Sequence, residues 1–111
     1  MQTSKMKIYI SGPVTGTSDY IERFAKTEKH LSSSFGKIEI FNPVRYIINT
    51  FWKPEEMRWP IIMSILLDEL CYGNYTHIYL MQGWQNSSGA VIEQCYAKRL
   101  GMEFIYEVER N

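Results

Sequence analysis

The feature that most constrains the fold is a regular alternation of short apolar runs with longer segments of helical periodicity. Runs rich in β-branched and aromatic residues predict four strands, at residues 6–10, 38–41, 76–81 and 103–106. Segments of helical periodicity lie between them, at residues 20–33, 61–72 and 90–100. Chains of this pattern form parallel sheets with right-handed helical crossovers. The predicted fold is therefore a three-layer α/β fold, Rossmann- or flavodoxin-like, in which helices flank a parallel sheet of four to five strands.

The length of 111 residues fits one domain, spanning residues 1–111, with no room for a second core. Hydrophobic residues make up 45% of the chain and charged residues 22%, close to the average of globular proteins. Twelve basic and twelve acidic side chains give a formal net charge of zero. Long nucleic acid is a poor ligand for such a chain, because phosphate neutralisation requires a basic surplus. A small phosphorylated molecule remains compatible with it.

Metal, cofactor and membrane partners are not predicted. Neither the cysteines nor the histidines have the close spacing of a metal site. Cys71 and Cys95 are therefore expected to be reduced core or interface residues of a cytoplasmic protein. The longest apolar run, at residues 61–67, is far below the roughly 20 residues that span a bilayer. A dinucleotide oxidoreductase is disfavoured because the first loop lacks the G-x-G-x-x-G spacing.

Small and polar residues follow three of the predicted strands, at the sheet edge where parallel sheets bind ligands. The candidate binding residues in these three loops are Ser11, Gly12, Gly16, Asn42, Gly83, Trp84, Ser87, Ser88 and Gly89. Ordinary turns have the same composition, but two glycine-containing loops at equivalent strand ends favour a shared pocket. Residues 44–60 show no clean periodicity, which predicts a long loop that is reasonable as a lid over that pocket.

Glu93 is the first candidate catalytic residue. With a serine of the preceding loop as the helix cap, Glu93 falls in the second turn of the last predicted helix. Ala90, Ala97 and Gly101 share its stripe, and small residues let a helix approach the sheet closely. Glu93 is therefore expected to be partly desolvated, which favours a functional role over that of an exposed surface glutamate.

Asp68 is the second candidate, within a helix that is apolar on nearly every face. Apolar flanks favour the protonated carboxyl group that a general acid needs. An equal alternative is that Asp68 and Glu69 form a narrow solvent-facing edge. A helix that is apolar all round should be covered on both sides, and in so small a chain the second cover is plausibly another subunit. A homodimer or higher homo-oligomer is therefore predicted.

Three motifs in order along the chain resemble the nucleoside 2-deoxyribosyltransferase superfamily, and most closely its short, uncharacterised bacterial and phage members. They are Tyr9-x-Ser11-Gly12-Pro13, Asp68 in the middle helix, and Gly83-Trp84-x-x-Ser87-x-Gly89-Ala90-x-x-Glu93. The resemblance implies that Glu93 is the nucleophile, that Asp68 assists the leaving base and that Tyr9 hydrogen-bonds the nucleophile. It also implies homodimers or larger assemblies with sites near subunit boundaries.

The chain departs from that superfamily just before the nucleophile, where the characterised enzymes carry Asp-x-Gly-Thr and use the aspartate to hold the sugar. Ser87, Gly89 and Ala90 stand in the matching positions. The nucleotide-hydrolysing branch has serines that accept a 5′-phosphate, which suggests a phosphorylated substrate.

The expected function is cleavage or transfer of the N-glycosidic bond of a nucleoside or nucleoside 5′-monophosphate, through a covalent glycosyl-Glu93 intermediate. The chain would then be a nucleoside deoxyribosyltransferase or a nucleotide N-glycosidase (a hydrolase), with no cofactor. Trp84 is expected either to stack on the base or, equally, to fill a core or interface. The alternative is a non-catalytic module on the same fold that binds or senses a nucleotide.

Overall fold

The computed structural model describes residues 5–14 and 18–108, along which four strands and four α-helices alternate. In chain order these elements are β1 (Lys7–Ser11), α1 (Tyr20–Phe35), β2 (Glu39–Phe41), α2 (Pro43–Thr50), α3 (Trp59–Tyr72), β3 (His77–Leu80), α4 (Ser88–Arg99) and β4 (Glu103–Tyr106). Two short 3-10 helices lie at Pro54–Glu56 and Trp84–Asn86. All four predicted strands and all three predicted helices are confirmed, with ends that differ by at most two residues.

The strands form one parallel sheet in the order β2-β1-β3-β4. In the register of this sheet, Tyr9 of β1 lies beside Phe41 of β2 and Ile78 of β3. β1 and β3 are therefore the central strands, and the loops that follow them leave the same edge. The order and the flanking helices make the fold three-layered and Rossmann/flavodoxin-like, as predicted.

The two faces of the sheet build two separate cores because side chains alternate along each strand. Ile8 and Ile10 of β1 pack with Phe24 on the face covered by α1. Tyr9 packs with Leu70 of α3 on the opposite face, which also holds α4. Burial of each such side chain contributes about 1.5–3 kcal/mol relative to exposure. The face occupied by Tyr9 is the one that carries the candidate site.

The prediction of a long loop at residues 44–60 was wrong over its first part, which forms α2. The Asn42 side chain caps this helix, and its Oδ1 accepts hydrogen bonds at 3.1 Å from two backbone N–H groups of the first turn. Pro43 follows at the first helical position, where its fixed φ favours the helix. Val44 and Ile47 are buried on the inner face. An Asn-Pro pair before apolar residues with helical spacing is the signal that would have predicted α2.

Both cysteines are free, Cys71 half-buried and Cys95 exposed. Cys95 is thus not a core residue of the single chain, and the interface alternative for it stays a prediction. No helix among residues 5–14 and 18–108 has the length and apolar character needed to cross a membrane.

Candidate functional site

The loops that follow β1 and β3 come together at the carboxyl edge of the sheet. A Cβ added to Gly12 would lie 2.7 Å from the Met81 side chain, so only glycine fits there without displacement. A Cβ on Gly83 would lie 3.5 Å from Cγ of Pro13, and Gly83 also has a left-handed φ of 89°. The two glycine-containing loops therefore pack against each other, and the shared pocket predicted for them stays a prediction. Gly16, predicted to bind substrate, lies outside the described residues.

The β3 loop leads into α4 through the N-cap that the sequence predicted. Ser87 Oγ accepts a hydrogen bond from the backbone N–H of Ala90 at 3.3 Å. Ala90, Glu93 and Ala97 are buried against the sheet, which confirms most of the predicted small-residue stripe. Gly101 is exposed rather than part of it, because the helix ends before it and Gly101 adopts a left-handed φ of 74°.

Glu93 lies at the centre of a buried cluster of hydrogen bonds. Its exposed fraction is 5%. Ser11 Oγ donates to Glu93 Oε1 at 2.6 Å, and the Tyr9 hydroxyl donates to Glu93 Oε2. Each carboxylate oxygen therefore has its own hydroxyl donor, which fixes the plane and direction of the carboxylate. The predicted contact between Tyr9 and Glu93 is present in the structure.

Burial has the largest effect on the pKa values of Glu93 and Tyr9. Removal of Glu93 from water raises the pKa of its carboxyl group from the ordinary value of 4.5 to about 7, although the hydrogen bonds from Ser11 and Tyr9 act in the opposite direction. The pKa of the Tyr9 hydroxyl is raised well above its ordinary value, first by burial and then by the nearby Glu93 charge. Tyr9 therefore keeps its proton at neutral pH and remains a donor, whereas Glu93 titrates near neutrality.

Ser11 has a role that sequence reasoning missed. It was predicted to bind substrate, but it is fully buried and its hydroxyl donates to Glu93. Tyr9 and Ser11 are two residues apart on β1 and so project from the same face of the sheet. That spacing, combined with the expected burial of Glu93, is the signal that would have placed both hydroxyls beside one carboxylate.

The structure does not bring Asp68 to this cluster. Asp68 is exposed, and it makes no hydrogen bond or ion pair with any residue that the structure describes. The buried residues of α3 include Met63, Leu66 and Leu70, and Asp68 lies on the side of the helix turned away from them. Glu69 is half-buried and accepts a hydrogen bond from the Tyr75 hydroxyl at 2.5 Å. In the single chain, the solvent-facing alternative for Asp68 is the one observed.

Two other predicted binding residues have structural partners. Besides capping α2, the Asn42 side chain donates to Glu28 Oε1 at 3.2 Å. Trp84 packs beside Tyr106, with ring centroids 6.4 Å apart, and contributes to the core that contains Tyr9. The core role for Trp84 is therefore observed, and ligand-binding roles for Asn42 and Trp84 stay predictions.

Trp59 is an aromatic residue near the α4 N-terminus that the sequence did not single out. A Cβ added to Gly89 would lie 3.9 Å from Trp59 Nε1 and 3.1 Å from Met63 Sδ. The first turn of α3 therefore forms a wall beside Ser88 and Gly89, and both Trp59 and Ser88 are exposed. No group of three His, Cys, Asp or Glu side chains able to hold a metal occurs among residues 5–14 and 18–108.

Comparison with known proteins identifies the family. The profile of a family described as a domain of unknown function (DUF4406) matches residues 6–106. That span contains all four strands, the loops at the carboxyl edge and Glu93. No curated protein and no solved structure matches the chain. Because the match covers nearly the whole chain, the protein belongs to the DUF4406 family.

Proposed function

We propose that the protein cleaves the N-glycosidic bond of a nucleoside or nucleoside 5′-monophosphate, with Glu93 as the nucleophile. The observation that carries this proposal is a buried carboxylate at the carboxyl edge of a parallel sheet, with a hydroxyl donor on each oxygen. A desolvated carboxylate that titrates near neutrality is typical of a functional site rather than of a structural ion pair. The resemblance of the Tyr9, Ser11 and Glu93 motifs to nucleoside 2-deoxyribosyltransferases supports the same reaction class.

In the proposed reaction, an ionised Glu93 oxygen attacks the anomeric carbon of the sugar and forms an ester bond. The bond from that carbon to the base breaks, and its electron pair leaves with the base, which takes up a proton. Water, or a second base in a transfer reaction, then attacks the same carbon and gives up a proton to the group that protonated the first base, while the ester bond to Glu93 breaks and its electron pair returns to the carboxylate. Two displacements at one carbon retain its configuration. Tyr9 and Ser11 hold the carboxylate in the attacking direction, so they are positioning residues.

The N-terminus of α4 supports a phosphorylated substrate. Ser88 and Gly89 occupy the first turn, where backbone N–H groups and the helix dipole favour an anion. Ser87 Oγ accepts the N-cap hydrogen bond and keeps its O–H as a donor, so both Ser87 and Ser88 can donate a hydrogen bond to a 5′-phosphate. Trp59, beside Gly89, is placed to stack on the base, in preference to Trp84 in its core cluster.

Replacement of Trp59 by Ala is expected to raise KM for the preferred nucleotide about 5- to 150-fold, because base stacking on an aromatic ring contributes about 1–3 kcal/mol. The KM of Trp59→Phe should lie between the KM of the unmodified protein and that of Trp59→Ala. The matched control is Trp52→Ala, since Trp52 is 87% exposed and lies before α3, in the segment that follows α2. Steady-state kinetics of the three variants measure the effect, and equal KM values for Trp59→Ala and Trp52→Ala would exclude the stacking role.

We place Asp68 at a contact between two copies of the chain, where it would protonate the departing base. Ile61 and Tyr72 are exposed on α3, Tyr96 is exposed on the neighbouring α4, and Leu100 is exposed directly after that helix. A second copy that covers these apolar side chains would enclose Asp68 as well.

Sedimentation velocity at micromolar concentration is expected to show a species of at least twice the 13.1 kDa chain mass. Ile61→Lys should dissociate it, and a monomer at 100 μM would contradict this assignment.

The experiment that tests the function is incubation of the purified protein with a panel of nucleosides and nucleoside 5′-monophosphates, ribose and deoxyribose forms included. Chromatography measures the free base. Release of base that requires Glu93 supports the proposal. Addition of a second free base distinguishes transfer, in which a new nucleoside forms, from hydrolysis.

A non-catalytic nucleotide-binding module is the second candidate, and the exposure of Asp68 favours it, because the predicted acid for the leaving base does not join the Glu93 cluster in the described part of one chain. A nucleotide that raises Tm in proportion to the logarithm of its concentration, yet is recovered unchanged after prolonged incubation, would select binding over catalysis.

A further inference from the structure

A groove lies on the face of the sheet opposite to Glu93, between α1 and the β3–β4 half of the sheet. Its volume is about 520 Å³, within the roughly 300–1,000 Å³ typical of small-molecule sites. One wall is the α1 stripe that contains Arg23, Lys26 and His30, and the floor contains Met81 and Ile105. On this face, α1 packs on β1 and β2, and α3 and α4 pack on the other face. α1 therefore covers β3 only in part, through Phe24 and Leu31, and the groove lies beside it.

Tyr79 supplies the observation that points to a ligand. Tyr79 lines the groove, and its exposed fraction is only 6%. Its hydroxyl makes no hydrogen bond with any described residue. Every fully buried side-chain nitrogen or oxygen in the described part of the chain has a partner, so the Tyr79 hydroxyl must be open to the groove. Burial, and then the Glu107 charge, raises its pKa, so the hydroxyl stays a donor.

The charges around the groove favour an anion. Arg23 donates from Nη2 to the Gln82 carbonyl at 3.2 Å, and a guanidinium has further N–H groups beyond the one used there. Lys26 pairs with Glu22 only at the surface, an interaction that competes weakly with a ligand. The acidic lining residue, Glu107, already accepts from the Gln82 N–H at 2.9 Å.

We infer that this groove is a second binding site, for a small organic anion whose apolar body lies on Phe35 and Ile105. Its carboxylate or phosphate faces Arg23 and Lys26, and one of its oxygens accepts a hydrogen bond from Tyr79. The inference does not depend on the proposed glycosidase reaction, because the groove and Glu93 lie on opposite faces of the sheet.

NMR titration of the ¹⁵N-labelled protein tests the inference with two probes of one shape, indole-3-acetate and the neutral indole-3-acetamide. The acid is expected to shift amide signals of residues 23–35 and 105–108 and to leave residues 87–93 unchanged. The amide should bind more weakly, on the order of tenfold, because it lacks the charge that Arg23 and Lys26 recognise.

Variants identify the residues responsible. Tyr79→Phe should weaken binding of the acid by about three- to tenfold without lowering Tm, since the hydroxyl has no protein partner to lose. Lys26→Ala should weaken binding too, whereas Lys29→Ala, on the same helix but outside this groove, should not. The inference is overturned if the acid shifts no groove signal, if only residues 87–93 respond, or if Tyr79→Phe binds the acid unchanged. Concentration-dependent shifts of the groove signals without probe would assign this face to a second copy instead.

Discussion

Glu93→Gln is expected to reduce the rate of base release by at least about 10³-fold, because an amide cannot form the glycosyl ester on which the proposed reaction depends. Gln has the shape of Glu, and the Ser11 and Tyr9 hydroxyls can still bond to it. Binding of the nucleotide should therefore persist while turnover is lost. The measurement is kcat/KM for the best substrate of the panel, together with the Kd of the same nucleotide.

Two further results separate the nucleophile from a merely structural glutamate. Glu55→Gln, at an exposed position in the 3-10 helix Pro54–Glu56, is the matched control and should keep full activity. Rapid acid quenching of the unmodified enzyme should trap a sugar adduct on the peptide that contains Glu93, detectable by mass spectrometry. Activity of Glu93→Gln within about tenfold of the unmodified protein would exclude the covalent mechanism.

Patterns that run through a whole strand or helix were the ones that sequence could use. The strand β1 is apolar at most positions because both faces of the sheet are covered, and α4 repeats small residues on one stripe as far as Ala97, so both the sheet and the burial of Glu93 could be predicted. The same reasoning failed for α2, whose start depends on the local Asn42 cap rather than on a long periodic run. Short helices bury few residues, and their caps are then the stronger signal.

The position of Asp68 could not be predicted because its helix is apolar on nearly every side. Periodicity selects the buried face of a helix only when the other face is polar. On α3, Met63, Leu66 and Leu70 are buried, while Ile61 and Tyr72 remain exposed with Asp68. Which of two apolar faces meets the sheet depends on tertiary packing, and whether the other is covered depends on a second chain.

The free energy of unfolding is expected to fall as the pH rises from about 4.5 to about 7, by an amount specific to Glu93. Below pH 4.5 the carboxyl group is protonated in both the folded and the unfolded chain, so it contributes no pH dependence. Between the two values the unfolded chain releases this proton and the folded chain keeps it, which stabilises the unfolded state. A pKa raised from 4.5 to about 7 corresponds to roughly 3 kcal/mol of lost stability above neutrality.

Glu93→Gln isolates this contribution because every other acidic group titrates in both proteins. The stability of the Gln variant relative to the unmodified protein should therefore rise by roughly 3 kcal/mol between pH 4 and pH 8.5, as measured by urea denaturation at each pH. Ser11→Ala removes a hydrogen bond that lowers the pKa of Glu93, so the pKa of Glu93 should rise further in this variant. The loss of stability of Ser11→Ala should therefore continue to a higher pH than that of the unmodified protein. A difference between the Gln variant and the unmodified protein that stays constant across this range would show that Glu93 is solvated in solution. The nucleophile would then lack the desolvated setting that distinguishes it from an ordinary surface glutamate.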